Sequence, residues 1–122
     1  MTEESRGGFI ILSRRLLDDD IMDKPASWLK LWIYILLNVN WKTTKRLKRG
    51  QGFFHYDPNA KHLNEITRNV WQKAHNWMEV SGKIERKKAQ RGVYITVLNY
   101  DRYQDINTYQ GTTEAQQRHN AI

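Results

Sequence analysis

The sequence predicts an α+β domain, and three features of its 122 residues lead to that class. A long apolar segment over 26–38 has the length of a core helix. A second segment, from Arg68 to a break predicted at Ser81 and Gly82, repeats large apolar side chains at helical spacing. Between Lys83 and Val97, two runs with strand character flank a turn that contains Gly92. A helical core followed by a β-hairpin is the layout of a winged helix-turn-helix, with the hairpin as a C-terminal wing.

The first third of the chain is expected to form short elements around the long helix. Residues 9–12 form a short apolar strand or an extended lead-in, and Ser13 is placed to cap a short helix over 14–21. Pro25 then opens the long helix over 26–38. Because the side chains of that helix are apolar nearly all round, we expect it at the centre of the core.

The middle of the chain is expected to supply the first part of the helix-turn-helix. A strand over 53–56 is followed by Asp57 and Pro58, a cap and a first-turn proline for a helix over 58–64. Glu65 and Ile66 would then form the turn, and Thr67 is the natural cap of the next helix.

The helix after Thr67 has the side chains that favour nucleic-acid binding. Its apolar stripe consists of Trp71, Ala74, Trp77 and Met78. The opposite face is polar, and it has no carboxylate before Glu79. Arg, Lys, Asn and Gln can each bond two atoms of a guanine or adenine edge. The residues predicted to contact DNA from this recognition helix are Thr67, Arg68, Asn69, Gln72, Lys73 and Asn76.

The charge distribution points to an anionic partner. The net charge is +7, yet residues 1–23 hold six carboxylates against three arginines, so the remaining residues carry +10. Such asymmetry favours a polyanion, either nucleic acid or an acidic membrane surface. Together with the polar-faced helix, it predicts double-stranded DNA as the partner and no membrane. The predicted DNA contacts of the wing are Arg86, Lys87, Lys88 and Arg91. A basic loop is expected to add weaker contacts through Lys45, Arg46, Lys48 and Arg49.

Several classes of protein are disfavoured by the residues that the chain lacks. With no cysteine it has no disulfide framework and no thiolate zinc site. The run 18–20 lacks the spacing of a calcium loop, and the four histidines lack the spacing of zinc ligands. No phosphate loop or catalytic triad pattern is visible. We therefore expect no metal, no cofactor, no small-molecule substrate and no enzymatic activity.

The same composition gives the expected location and limits of the domain. No segment is long enough to span a bilayer, and the absence of cysteine suits a reducing compartment, so we expect a cytoplasmic location. Residues 1–8 are interpreted as a flexible leader, 9–103 as the winged-helix domain and 104–122 as a flexible polar tail.

Five short stretches together resemble one protein family. They are 8–14 at the start, the Trp-rich helix after 24–26, Lys-Arg-Gly-Gln at 48–51, the cap Thr-Arg-Asn at 67–69, and the closing run 97–104 with its Asn-Tyr-Asp. In these stretches the chain resembles the winged-helix N-terminal domain of phage replication-initiation proteins, or replisome organisers, and of the DnaD-like primosomal proteins. It departs from that family at 56–61, where the first helix of the motif would begin, and at Glu65, where a turn glycine is common.

The resemblance implies a double-stranded DNA-binding protein of phage or mobile-element origin that acts in the cytoplasm of a bacterial host cell. Its role would be replication initiation, or that of an accessory factor. Two alternatives remain open at this point. The domain could be a protein–protein assembly module, docking on replisome proteins or on a second copy of itself. It could also be a small transcriptional regulator.

Overall fold

The computed structural model describes residues 8–105, which form an α+β fold of short helices around a three-stranded sheet. Within these residues the helices are α1 (Ala26–Asn38), α2 (Arg68–Val80) and α3 (Tyr100–Tyr103). The strands are β1 (Gln51–Phe54), β2 (Ile84–Ala89) and β3 (Gly92–Val97). Two 3₁₀ helices, Arg14–Asp18 and Asp20–Asp23, precede α1. The α+β class predicted from the sequence is confirmed.

The core is built around α1, as its sequence predicts. Leu31 and Ile35 are fully buried, and burying a side chain of this size stabilises the fold by about 1.5–3 kcal/mol. They belong to one buried cluster with side chains from α2, from the sheet and from the connecting segments, among them Ile21, Leu63, Ile66, Trp71, Ala74, Met78, Ile84, Ile95, Val97 and Tyr100. The aromatic-rich composition is therefore used mainly for packing.

The sheet is antiparallel with the order β1-β3-β2, and its register decides which loops lie together. Phe54, the last residue of β1, pairs with Val93, and the hairpin turn lies between Ala89 and Gly92. Gln51, the first residue of β1, pairs with Thr96 at the other end. The hairpin tip and the basic loop before β1 therefore lie at opposite ends of the sheet, separated by about 17 Å of strand.

The predicted boundaries of α2 are confirmed, and a specific local structure ends the helix on each side. The Thr67 hydroxyl accepts a hydrogen bond from the Val70 N–H at 3.2 Å, which is a standard N-cap. At the other end, Gly82 has a φ of 82°, a left-handed conformation that glycine adopts without strain. The break at Ser81 and Gly82 turns the chain directly into the hairpin.

The prediction of a helix over 58–64 is wrong, because this segment forms a series of turns. The Asp57 carboxylate accepts from the Asn59 N–H, an arrangement that favours a local turn over a helix. His62 then has a φ of 75°, which a continuous α-helix does not allow. Leu63 and Ile66 are nevertheless buried, so the turns are packed onto the core.

Three smaller predictions also need correction. The short helix predicted over 14–21 is instead two 3₁₀ helices, because Asp19 uses its carboxylate to cap the Ile21 N–H and interrupts the first helix. The strand predicted over 53–56 runs from Gln51 to Phe54. The hairpin is not C-terminal, because α3 follows it and places Tyr100 in the core.

The ends of the described segment lie side by side. The Gln104 side chain donates to the Ile11 carbonyl at 2.9 Å and accepts from the Ile11 N–H at 2.8 Å. Residues 9–12 form neither a strand nor a helix. The expectations for a flexible leader and tail fall mostly on residues outside those described. Within 8–105, no helix has the length and apolarity needed to cross a bilayer.

Candidate nucleic-acid interface

The polar face of α2 points to solvent, as its sequence predicts. On the inner side Trp71 retains 7% of its exposure and Met78 none. The side chains on the outer face are all exposed: Arg68, Asn69, Gln72, Lys73 and Asn76. His75, which the sequence places nearer the apolar stripe, is 1% exposed and lies with its ring centroid 4.5 Å from that of Trp71.

Three of the six predicted helix residues already have partners within the chain. The Thr67 hydroxyl caps the helix, and the Asn76 carbonyl oxygen accepts from Arg86 Nη2 at 2.5 Å. The Arg68 guanidinium lies 4.9 Å from the centre of the Tyr56 ring, a cation–π contact that leaves its N–H donors open. Asn69, Gln72 and Lys73 have no hydrogen bond, ion pair or ring contact with any residue of 8–105, and Arg68 has only its contact with the Tyr56 ring.

Arg86 holds the hairpin against α2 instead of projecting from it. Its Nη2 lies 2.7 Å from Glu79 Oε1, and its backbone N–H donates to the other carboxylate oxygen at 3.2 Å. Hydrogen bonds from Arg86 lower the pKa of the Glu79 carboxyl. The guanidinium is therefore committed to positioning α2. The sequence offered one signal of this pairing, since Glu79 is the first carboxylate on that helix.

The other wing cations are free and surround the hairpin tip. Lys87, Lys88 and Arg91 are exposed, and none takes part in an ion pair among residues 8–105. Side chains alternate along a strand, so Lys88 shares the face of Arg86, which is directed towards α2, while Lys87 points the opposite way. The tip therefore presents positive charge on both faces of the hairpin.

The free end of the hairpin and the first turn of α2 lie at the same end of the sheet. Arg68 is stacked on Tyr56, two residues beyond the end of β1. The end of β1 pairs with Val93, the second residue of β3 after the hairpin turn. The structure thus brings the N-terminal half of the predicted recognition helix and the predicted wing tip to one end of the molecule.

The basic loop lies at the other end, and one of its predicted contacts is structural. Arg49 forms an ion pair with Asp101 at 2.5 Å and donates to the Trp41 carbonyl at 2.5 Å. Its guanidinium also lies 5.1 Å from the Tyr100 ring. The three remaining predicted contacts of the loop are exposed: Lys45, Arg46 and Lys48.

A further ion pair gives a structural role to Asp19, the middle residue of the acidic run 18–20. Lys83 lies 2.5 Å from Asp19, between the rings of Trp32 and Trp77. Burial raises the pKa of Asp19, but hydrogen bonds from Lys83 and the Ile21 N–H, together with the lysine charge, outweigh it and lower the pKa. This aspartate therefore anchors the 3₁₀ helices to the start of the hairpin. No group of three or more potential metal ligands occurs among the residues described.

Comparisons of this chain with models of protein families, with curated proteins and with solved structures gave no match. The assignment of a function therefore depends on the geometry and charge of the surfaces described above.

Proposed function

We propose that this chain is a winged-helix protein that binds double-stranded DNA in the cytoplasm of a bacterial host. Its role would be replication initiation, or an accessory step in it, for a phage or mobile element. One observation carries the proposal. The exposed face of α2 has no carboxylate before Glu79, and its first turn lies at the same end of the sheet as three unpaired cations of the hairpin tip.

The cations of the tip supply the part of binding that does not depend on sequence. Duplex DNA carries one negative charge per 1.7 Å of its axis, and cations that neutralise phosphates release counterions. Lys87, Lys88 and Arg91 have no internal anion to satisfy them among residues 8–105, so phosphate can replace water around them at little cost. Arg86 is not part of this contact, because Glu79 already holds it.

The unpaired side-chain amides of α2 supply the part of DNA binding that can depend on base sequence. Asn69 and Gln72 are one turn apart on the exposed face, and a primary amide can bond the N6 and N7 atoms of adenine together. Lys73, beside them, can reach guanine or phosphate. Because Asn76 already accepts from Arg86, the reading surface is centred on the first two turns of the helix.

The proposed winged helix is shortened at its first half. The turns over 58–65 stand where a standard helix-turn-helix has its first helix, and buried Leu63 and Ile66 attach them to the core. Although this segment is not helical, α2 still packs on α1 and is joined to the hairpin by the Arg86–Glu79 ion pair. These contacts hold the proposed recognition surface in place.

Replacing both tip lysines, Lys87→Ala with Lys88→Ala, should weaken binding to all duplexes alike. The slope of log K against log salt concentration should flatten by roughly 1–2 units, since about two phosphate contacts are lost. Fluorescence anisotropy with a labelled random duplex at several salt concentrations measures that slope.

The matched control removes the same charge from the other end of the sheet. Lys45→Ala with Lys48→Ala should change the duplex salt slope less than the tip variant does, because the basic loop lies away from the proposed duplex surface. An unchanged slope in the tip variant would exclude the hairpin from the contact.

A further inference from the structure

The loop between α1 and β1 displays an exposed indole among unpaired cations. Trp41 keeps 65% of its exposure, the largest of any tryptophan among residues 8–105. The ammonium of Lys42 lies 5.1 Å from the centre of its ring. The other exposed cations of the loop are Lys45, Arg46 and Lys48, and none of the four forms an ion pair within the described chain.

The backbone that carries this indole is held in place. The Asn40 N–H donates to the Gln51 carbonyl at 3.0 Å, and the Gly50 N–H donates to the Asn40 carbonyl at 2.6 Å. Arg49 donates to the Trp41 carbonyl while Asp101 fixes its guanidinium. The exposure of the ring is therefore a property of an anchored loop. A fixed backbone lowers the ordering cost when an exposed aromatic side chain binds a ligand.

Gly50 shows how closely the loop is joined to the end of the domain. Its φ is 82°, and a Cβ placed there would lie 2.7 Å from the Tyr100 Cβ. Only glycine combines this backbone conformation with this approach. The loop and α3 therefore form one unit, from which the Trp41 ring and the neighbouring cations project.

We propose that this loop binds single-stranded nucleic acid, with one unpaired base stacked on Trp41 and the neighbouring cations on the adjacent phosphates. Stacking on an aromatic ring combined with a basic surface is the general chemistry of single-strand recognition. Both faces of a base inside a duplex are covered by its neighbours, so a duplex cannot use the indole in this way. The combination of the exposed Trp41 ring with the exposed cations Lys45 and Lys48 therefore favours unpaired strands.

This site is separate from the proposed duplex surface. The register of the sheet puts the loop at the Gln51 end and the hairpin tip at the Phe54 end. The two sites therefore differ in position as well as in chemistry, and single-strand binding does not depend on duplex binding. A protein with both sites can hold a duplex at one end and an opened strand at the other.

The test is anisotropy of the full chain with labelled dT12 and, in parallel, rU12. Trp41→Ala should weaken dT12 binding roughly 5- to 150-fold, the loss expected for one stacked base, and leave the random duplex affinity unchanged. Trp41→Phe keeps an aromatic face and should retain most of the affinity. Lys45→Ala with Lys48→Ala should flatten the dT12 salt slope, whereas the tip variant Lys87→Ala with Lys88→Ala should not.

The outcomes separate this proposal from the duplex proposal. Loss of dT12 binding in Trp41→Ala supports the loop site even if the wild-type chain binds no duplex. Equal binding of rU12 would show that the site reads base and phosphate only, which also supports it. No dT12 binding by the wild-type chain, or wild-type dT12 affinity in a folded Trp41→Ala, would overturn the loop site. The loop site would also be overturned if Trp41→Ala lost self-association, measured by sedimentation, while its dT12 affinity stayed at the wild-type value.

Discussion

Replacing Trp71 with alanine is expected to lower the free energy of unfolding by about 3–5 kcal/mol, because it removes a large ring from the core. Trp71 is 7% exposed, and its ring lies 5.9 Å from Tyr56 and 4.5 Å from His75, in edge-to-face contacts with both. The surrounding backbone includes β1 and α2, which cannot collapse freely into the space. Urea unfolding at neutral pH measures the loss.

The neighbouring residue provides the matched control. Gln72 is exposed on the opposite face of α2, so Gln72→Ala should leave the free energy of unfolding almost unchanged. If Gln72 reads a base, the same variant should lose roughly 1–3 kcal/mol on a specific duplex and little on a random one. A folded but DNA-defective Trp71→Ala beside a destabilised, DNA-competent Gln72→Ala would reverse the functional faces of the helix and remove the base-reading assignment.

Acid is expected to destabilise the fold through His75 before the carboxylates are protonated. Burial, together with a smaller contribution from the positive charge of Arg86, lowers the pKa of His75 from 6.5 to about 4. The neutral imidazole is therefore the folded form, and its Nε2 has no hydrogen-bond partner among residues 8–105. The stability that depends on this neutral form is complete above pH 6.5 and is lost as the pH falls towards 4.

As the pH falls through the range between the two pKa values, the free energy of unfolding should decrease by about 3 kcal/mol in all. About 2 kcal/mol of this decrease is expected between pH 7 and pH 5. Urea unfolding at pH 7, 6 and 5 measures it. His75→Phe keeps a ring against Trp71 but cannot bind a proton, so its stability should vary much less over this range. A wild-type stability that is flat between pH 7 and pH 5 would contradict the burial of a neutral histidine.

The elements that the sequence predicted well are those whose signals are local. In α1 the apolar run has a proline at one end, and in α2 the Thr67 cap, the apolar stripe and Gly82 all agree, so both helices were predicted with the observed limits. The segment over 58–64 has a cap and a proline but no apolar stripe. Its Asx turn at Asp57 therefore prevailed over a helix start that looks similar in sequence.

The candidate nucleic-acid surface was less predictable, because it depends on which cations already have partners. The sequence shows a dense cluster at 83–91, but it does not show that Glu79 and Asp19 bind Arg86 and Lys83. Arg49 is likewise taken by Asp101, fifty-two residues away. The pairs of Lys83 with Asp19 and of Arg49 with Asp101 join positions 64 and 52 residues apart, and such pairs leave no periodic signal in a sequence. The separation of the hairpin tip from the basic loop also follows only from the strand register.

In the proposed mode of binding, the first two turns of α2 and the hairpin tip contact duplex DNA together. A titration of a labelled random duplex with the wild-type chain, repeated from low to physiological salt and accompanied by sedimentation, tests it most directly. We expect binding that weakens linearly in log salt, with a slope that the tip variant Lys87→Ala with Lys88→Ala flattens. Self-association without any duplex binding at low salt would contradict the account and would favour the assembly-module alternative.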